Sequence, residues 1–411
     1  MTFTNKKYQA PRSLNVSKPV DEVKLPVHGQ GVVLFSASEP CTLTYCDLSG
    51  TPGLKVQFTD GGVFVNLEPS NEPLVTQNTK GLVSQTESQY WFSLDSQNQR
   101  LYGGVGEARK ETVFYSYEFP KEQNKKQFLE SLVSVKVDKL KVVRVLRDPI
   151  TGTVPLVVKN TDDLTMEDVA SGAYMPKANL SLTSQKLYDC ISGKQFTLNT
   201  SNFPEFVDAI EHSIATPGKW CHELLKKKST EFDKDKPNDK ETYLRITLGE
   251  NNGESPGIPY VMEIWPVGHY SPVHNHGGAS AVIRVLHGSI NVSLFPILGA
   301  VEPFAKADFK KEDITWISPE LNQVHQLKNL EGNKETCITI QCYMYEDDDK
   351  KHYDYFDYLD ATGAKQQFEP NSDLGFVEFK KLMKKEWEEF QTTVEKAPVP
   401  VKKPWYSLLG C

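Results

Sequence analysis

Between about residues 28 and 119, apolar and polar positions alternate in short runs: 32–35, 43–45, 54–58, 63–65, 90–94, 99–102 and 113–115. Gly, Asp, Pro and Ser clusters separate them, the spacing of a β-sandwich. Residues 132–137 and 142–145 add two further strand-like runs, and 165–170 has the composition of one helical turn. The period then becomes helical. Asn202 and Pro204 predict a helix start, with Phe206, Val207, Ile210 and Ile214 on one face and Pro217-Gly218 as its stop. A second short helix is expected over 220–225, and the mixed-charge run 226–241 reads as a solvated loop. From 243 to 345 the pattern is β throughout, clearest at 282–286, 290–295, 314–317 and 337–343. Residues 345–358 read as an acidic, aromatic surface excursion. The last periodic segment, 376–394, puts Phe376, Phe379, Met383, Trp387, Phe390 and Val394 on one helical stripe, expected to pack on this chain.

These patterns divide the chain into an arm (1–27), a β-sandwich-like binding module (28–125), a connecting region with strands (126–184), a β-barrel with flanking helices (185–396) and a Pro/Lys tail (397–411). A length of 411 residues suits that division. The net charge of −8 gives no basic surface for nucleic acid. No apolar run reaches membrane-spanning length, and the first residues lack the apolar core of a secretion signal. The seven cysteines show no C-x-x-C pairing, and Cys41 and Cys46 are read as reduced thiols. A cytoplasmic location is therefore expected.

Histidine spacing is the strongest chemical signal. Gly268, His274, His276, Ala281 and Gly288 form G-x5-H-x-H-x4-A-x6-G, and His325-x3-Asn329 follows about fifty residues on. On a strand, alternate side chains share a face, so His274 and His276 are expected to point the same way. His325, from a distant strand, would complete a three-imidazole site. Neutral imidazole suits iron, zinc, copper or nickel, so the ligand set alone does not select the metal. The Gly103-Gly-Val-Gly106 run lacks the strand-to-helix context of a phosphate loop and is read as a hairpin turn.

This spacing resembles the two signature motifs of the cupin superfamily, small double-stranded β-helix (jelly-roll) barrels. The fold expected is thus mainly β, a sandwich-like domain followed by a cupin barrel with a few helices. Many cupins have a glutamate ligand where this chain has Ala281. A three-histidine site is the arrangement of thiol dioxygenases, and the flanking residues are similar to those of cysteine dioxygenases. Trp265-Pro-Val-Gly-His269 resembles the run before their ligands. Tyr243-Leu-Arg245 resembles their Tyr-x-Arg element, and Thr339-Ile-Gln341-Cys-Tyr343 lies in frame with their Ser-x-His-x-Tyr segment. The resemblance covers roughly residues 185–395.

It implies an Fe(II)-dependent enzyme that oxidises the thiol of cysteine or a related small thiol to a sulfinate with O2. Arg245 would hold the substrate carboxylate, Tyr243 would support it, and Tyr343 would orient substrate. Gln341, Thr339 and His269 would stand behind them. Two departures qualify the likeness. Ala281 occupies the position from which a cysteine is joined to the tyrosine in animal cysteine dioxygenases. Gln341 and Thr339 replace the histidine and serine of the relay, and glutamine cannot exchange a proton.

The alternatives are another metal-dependent cupin oxygenase or isomerase, and a non-catalytic cupin or lectin-like binding protein. Residues 90–106 are weakly similar to farnesoic-acid-methyltransferase-like and lectin-like β modules, which implies a glycan or protein ligand for the first domain. On this reading, deletion of residues 1–125 is expected to leave turnover largely intact.

Overall fold

The computed structural model describes residues 13–16, 18–75, 82, 87–248, 259–345 and 355–395, with side chains to residue 393. Residues 1–12 and 17 of the expected arm, 346–354 of the expected excursion, the Val394 side chain and the tail 397–411 lie outside the described residues.

The first unit is a sandwich of two six-stranded sheets, antiparallel throughout. One sheet runs Ser13–Asn15, Lys141–Leu146, Gln30–Ala37, Ser88–Asp95, Arg100–Val105, Val113–Glu118. The other runs Glu22–Lys24, Ser134–Asp138, Cys41–Cys46, Pro52–Thr59, Gly62–Leu67, Glu72–Pro73. Alternation along these strands sends Val33, Phe35, Phe92 and Tyr115 from one sheet against Leu43, Tyr45, Val56 and Phe58 from the other. Phe35 and Phe58 meet edge to face with centroids 5.0 Å apart. All six cysteines among the described residues are unpaired.

Three expectations change here. Residues 13–15 and 22–24 of the arm are strands, because each pairs with a strand beyond residue 125. The sandwich therefore extends to Leu146. Ser134–Asp138 lies between Glu22–Lys24 and Cys41–Cys46, and Lys141–Leu146 between Ser13–Asn15 and Gln30–Ala37, so a cut at residue 125 would strip both strands of their partners. The glycine run is not the hairpin turn: Gly103 and Gly104 lie inside Arg100–Val105. Gly104 sits opposite Trp91, and a Cβ there would stand 2.3 Å from the indole ring. The tight turn falls at Gln99, which has φ +54°.

The second unit has a six-stranded sheet in the order Ile314–Ile317, Ser280–His287, Cys337–Met344, Tyr260–Trp265, Leu244–Leu248, Leu374–Gly375. A three-stranded sheet faces it: Ala305–Lys310, Ser289–Leu294, His325–Lys328. A hairpin, Phe356–Leu359 with Lys365–Phe368, adds a further wall. The expected mainly β architecture, a sandwich followed by a double-stranded β-helix barrel with flanking helices, is the one observed.

Both faces of the larger sheet are buried, which explains its chemistry. Ile338, Ile340 and Cys342 join Leu244, Ile246, Met262 and Ile264 in an apolar layer under the helices. The intervening residues Arg245, Glu263, Trp265, Gln341 and Tyr343 point into the barrel. Truncating a buried isoleucine of that layer to alanine would cost about 2–5 kcal/mol. The covering helices are Leu182–Ile191, Phe206–Ala215, Trp220–Lys228 and Phe376–Glu395. The second of these begins at Phe206 rather than Pro204, because residues 200–203 close a small bridge and Asn199 Oδ1 accepts from Val207 N. Phe379 and Met383 of the last helix are fully buried against this chain, as its stripe predicts. The 226–241 run is not wholly solvated, since Phe232 is buried against Tyr358 and Phe368. No helix among the described residues is long and apolar enough to cross a membrane.

Candidate metal centre

His274, His276 and His325 converge. Each is 5 % exposed, and one ring nitrogen from each lies within 4.8 Å of the others. The route differs from the expected one, because His274 and His276 are on a loop ahead of Ser280–His287, not on a strand. They still face one centre because paired backbone hydrogen bonds tie His274 to His325, each amide donating to the other's carbonyl at 3.0 Å. The hairpin holds the loop from the other side, with Asn275 N donating to Asp357 O at 3.0 Å. Gly277 and Gly278, at φ +59° and +82°, then turn the chain into the strand.

The ring nitrogens fit a divalent cation. His274 Nδ1 donates to Pro272 O and His325 Nδ1 to Asn322 O, both at 3.0 Å. Those bonds fix the tautomer and leave Nε2 of each as a lone-pair donor. The Nε2 atoms of His276 and His325 stand 3.2 Å apart, so either a shared proton or a cation must lie between them. Burial pushes His274 down to about 4 and His325 to about 3, and holds His276 well below its ordinary value; the neighbouring imidazoles push His276 and His325 the same way. All three are therefore neutral near pH 7, the form that binds metal. Three imidazoles without a carboxylate do not choose among iron, zinc, copper and nickel.

The pocket beside the triad has a polar end and an apolar wall. Arg245, Glu263, Gln341 and Tyr343 form the polar end, and Ile283, Val285, Ile290, Leu294, Phe309 and Trp316 the wall. Arg245 stands opposite Glu263 on the neighbouring strand, Nη1 3.4 Å from Oε1. Burial raises the Glu263 carboxyl, and the Arg245 charge opposes this only in part. The Arg245 guanidinium lies 5.8 Å from the centre of the Tyr343 ring. Tyr343 is stacked on His276 with centroids 5.7 Å apart, and its buried hydroxyl lies beside the Arg245 guanidinium and the Glu263 carboxyl. Tyr243 stacks on Trp265 at 4.2 Å, behind Arg245.

Among the supporting residues, Gln341 lines the pocket and Thr339 is buried without a partner for its hydroxyl. His269 is outside the pocket. Its Nδ1 lies 3.0 Å from both Thr242 Oγ1 and Thr242 O, tying the 266–271 loop to the start of the Leu244–Leu248 strand. Ala281 lies directly across from Tyr343. The motif's remaining residues are structural. Asn329 donates to Trp265 O at 2.8 Å, and Gly288, at φ +66°, admits Thr336 O within 2.6 Å of where a Cβ would sit.

Solved structures resemble the chain in part. The cupin domain of Cnp3 from Schizosaccharomyces pombe is 16% identical, over 25% of this chain and 65% of that one, with a TM-score of 0.20. A cupin superfamily protein from Desulfitobacterium hafniense is 12% identical over 26% of this chain and 81% of its own, at 0.19. An L-ribose isomerase from Cellulomonas parahominis is 10% identical over 29% and 64%, at 0.22. The chain thus spans just under two thirds of the first of these. No protein-family model and no curated protein matches the chain.

Sequence reasoning missed three contributors. Glu263 was signalled by its charge inside the apolar run 261–265. Phe356, whose ring lies 4.5 Å from His276, falls in the stretch read as a surface excursion. Asn322, which supplies the carbonyl for His325, has φ +64° and carries no local pattern.

Proposed function

We propose that the chain is a non-haem Fe(II) thiol dioxygenase that oxidises cysteine or a related small amino thiol to its sulfinate. The convergence of His274, His276 and His325, with no carboxylate among them, is the observation that carries this reading. Ferrous iron at the triad would acidify the thiol and supply the one-electron exchange that its reaction with O2 requires. The overall change, RSH + O2 → RSO2H, places both oxygen atoms on sulfur and needs no external reductant.

This chain's own residues account for recognition. Arg245 pairs a substrate carboxylate in a site shielded from water, where a charge-assisted hydrogen bond is strong. Glu263, beside it, accepts from a substrate ammonium, so the pair matches an α-amino acid at both charges. The Tyr343 hydroxyl, beside Arg245, donates to the bound substrate. The apolar wall from Ile283 to Trp316 excludes water and holds the thiol close to the triad.

One observation favours a second reading from the same pocket. A buried carboxyl raised above its ordinary range is suited to proton transfer, so Glu263 would serve a metal-dependent isomerase as acid or base. Anaerobic Fe(II) loading separates the two, followed by oxygen uptake and sulfinate detection with cysteine, cysteamine, homocysteine and 3-mercaptopropionate. Sulfinate formed in step with oxygen uptake supports the dioxygenase. Absence of both from iron-loaded protein rejects it.

A further inference from the structure

The sandwich reaches the back of the metal centre through one loop. Gly106, at φ +73°, lies so close to the barrel that a Cβ there would stand 1.7 Å from Pro296 O. The three residues that follow carry Arg109 to a site where only 1 % of it is exposed. Its guanidinium is fully engaged. Nε donates to Glu111 Oε2 at 3.0 Å, Nη2 to Val154 O at 3.1 Å, and Nη1 to Asn322 Oδ1 at 2.9 Å and Glu107 Oε2 at 3.4 Å. Glu107 Oε1 accepts from Gln323 N at 3.0 Å. On the barrel side the acceptor, Asn322 Oδ1, and the donor, Gln323 N, belong to residues three and two positions before His325.

Those two residues lead to the ligands in one step each. Asn322 O accepts from His325 Nδ1 at 3.0 Å. Gln323 Nε2 donates to Ala279 O at 2.8 Å, and its Oε1 accepts from Gly278 N at 3.2 Å, within the loop that follows His276. Asn322 holds a left-handed backbone, which an asparagine tolerates but does not fix by itself. Asn322 Nδ2 donates to Trp316 O at 2.9 Å within the barrel, and the buried charge-assisted bonds from Arg109 and Glu107 hold the same segment from outside.

We propose that Arg109 and Glu107 of the sandwich are positioning residues of the metal centre, holding the 322–323 backbone so that His325 and the loop behind His276 keep their ring nitrogens converged. The first domain is then a structural part of the site, whatever else it binds. The claim rests on the triad as a metal site and not on the thiol chemistry.

Co(II) affinity of the full-length protein, measured by competition with a chelator, tests it without turnover. Arg109→Met removes the donor. Asn322→Gly removes the side chain that accepts from Arg109 and donates to Trp316 O, but keeps the carbonyl used by His325 and tolerates the left-handed backbone. Each folded variant is expected to bind Co(II) about 10- to 100-fold more weakly, the range for removing a partner that orients a ligand. The double variant should lose no more than the worse single one, because both break the same link. A purely structural bond between domains would leave affinity unchanged, and unchanged affinity in folded Arg109→Met overturns the proposal, as do additive losses. Should Arg109→Met not fold, Glu107→Ala, which removes the acceptor for Gln323 N and leaves the Asn322 side chain in place, decides by the same criterion. An unsubstituted chain that takes up no Co(II) removes the triad as a metal site and the proposal with it.

Discussion

Arg245 and Glu263 face each other across two antiparallel strands, Nη1 3.4 Å from Oε1, with both side chains inside the pocket. The arginine therefore does not wait alone for a substrate carboxylate. The pair is close to neutral, and a ligand with one positive and one negative group disturbs it least. Glu263→Gln should shift the ratio of kcat/KM values roughly tenfold towards 3-mercaptopropionate and away from cysteine, because it leaves one positive charge to be met. Arg245→Gln should raise KM for cysteine far more than for cysteamine, which has no carboxylate. Equal effects on the two thiols would remove the recognition role.

Breaking this buried pair should also cost stability. Glu263→Gln is expected to lower the unfolding free energy by about 3–5 kcal/mol, since an uncompensated charge stays buried. The double variant Arg245→Gln, Glu263→Gln should recover most of that. Urea denaturation of the three proteins checks the cycle, and a double variant as unstable as the sum of the singles contradicts it.

Acid sensitivity of the metal-free protein follows from the histidines. Burial holds His274 at about 4 and His325 at about 3 in the folded state, against 6.5 for an unhindered histidine. The unfolded chain therefore binds more protons over that interval, and stability must fall as pH drops from 6.5 towards 4. His274 alone accounts for roughly 3 kcal/mol of this. Urea midpoints of metal-free protein at pH 7.5 and 4.5 measure it, and His274→Leu should flatten the dependence.

Tyr343 is the fourth test. Its ring is stacked beside His276, its buried hydroxyl lies next to Arg245, and Ala281 stands directly opposite on the neighbouring strand. Tyr343→Phe should lower kcat for cysteine about 10- to 100-fold, with little change in Fe(II) affinity. Loss of iron together with activity would mean that the ring supports the ligand rather than the substrate.

The domain junction yields a fifth. Gly106→Ala forces a Cβ against Pro296 O, a rigid backbone atom, and strains a left-handed residue as well. A destabilisation of about 1–3 kcal/mol is expected in thermal unfolding. Deleting residues 1–125 should abolish soluble, metal-binding protein, since both sheets of the sandwich and the Arg109 link are broken at once.

Much of this was legible in the sequence, and the misses have physical causes. The family resemblance, not strand alternation, pointed to Arg245, Gln341 and Tyr343, all of which line the pocket; both faces of their sheet are buried, so polarity does not mark one face along it. Histidine spacing singled out His274, His276 and His325, which the fold brings within 4.8 Å of one another although His274 and His276 lie on a loop. Their alignment comes from backbone bonds to His325, a long-range contact that no local pattern encodes. The Glu263 partner and the Arg109–Asn322 link escaped notice for the same reason, being bonds between residues 18 and 213 positions apart. The sandwich boundary was misplaced because Ser13–Asn15 and Glu22–Lys24 are too short for a periodic signal and depend on partners beyond residue 125.

The central claim is that three imidazoles hold one catalytic iron. Anaerobic Fe(II) titration of the intact chain and of His274→Ala, His276→Ala and His325→Ala tests it most directly. One ferrous ion per chain, with affinity lost in each variant, is the predicted result. An intact chain that takes up no iron, or His276→Ala protein that still binds it at full strength, would contradict the account.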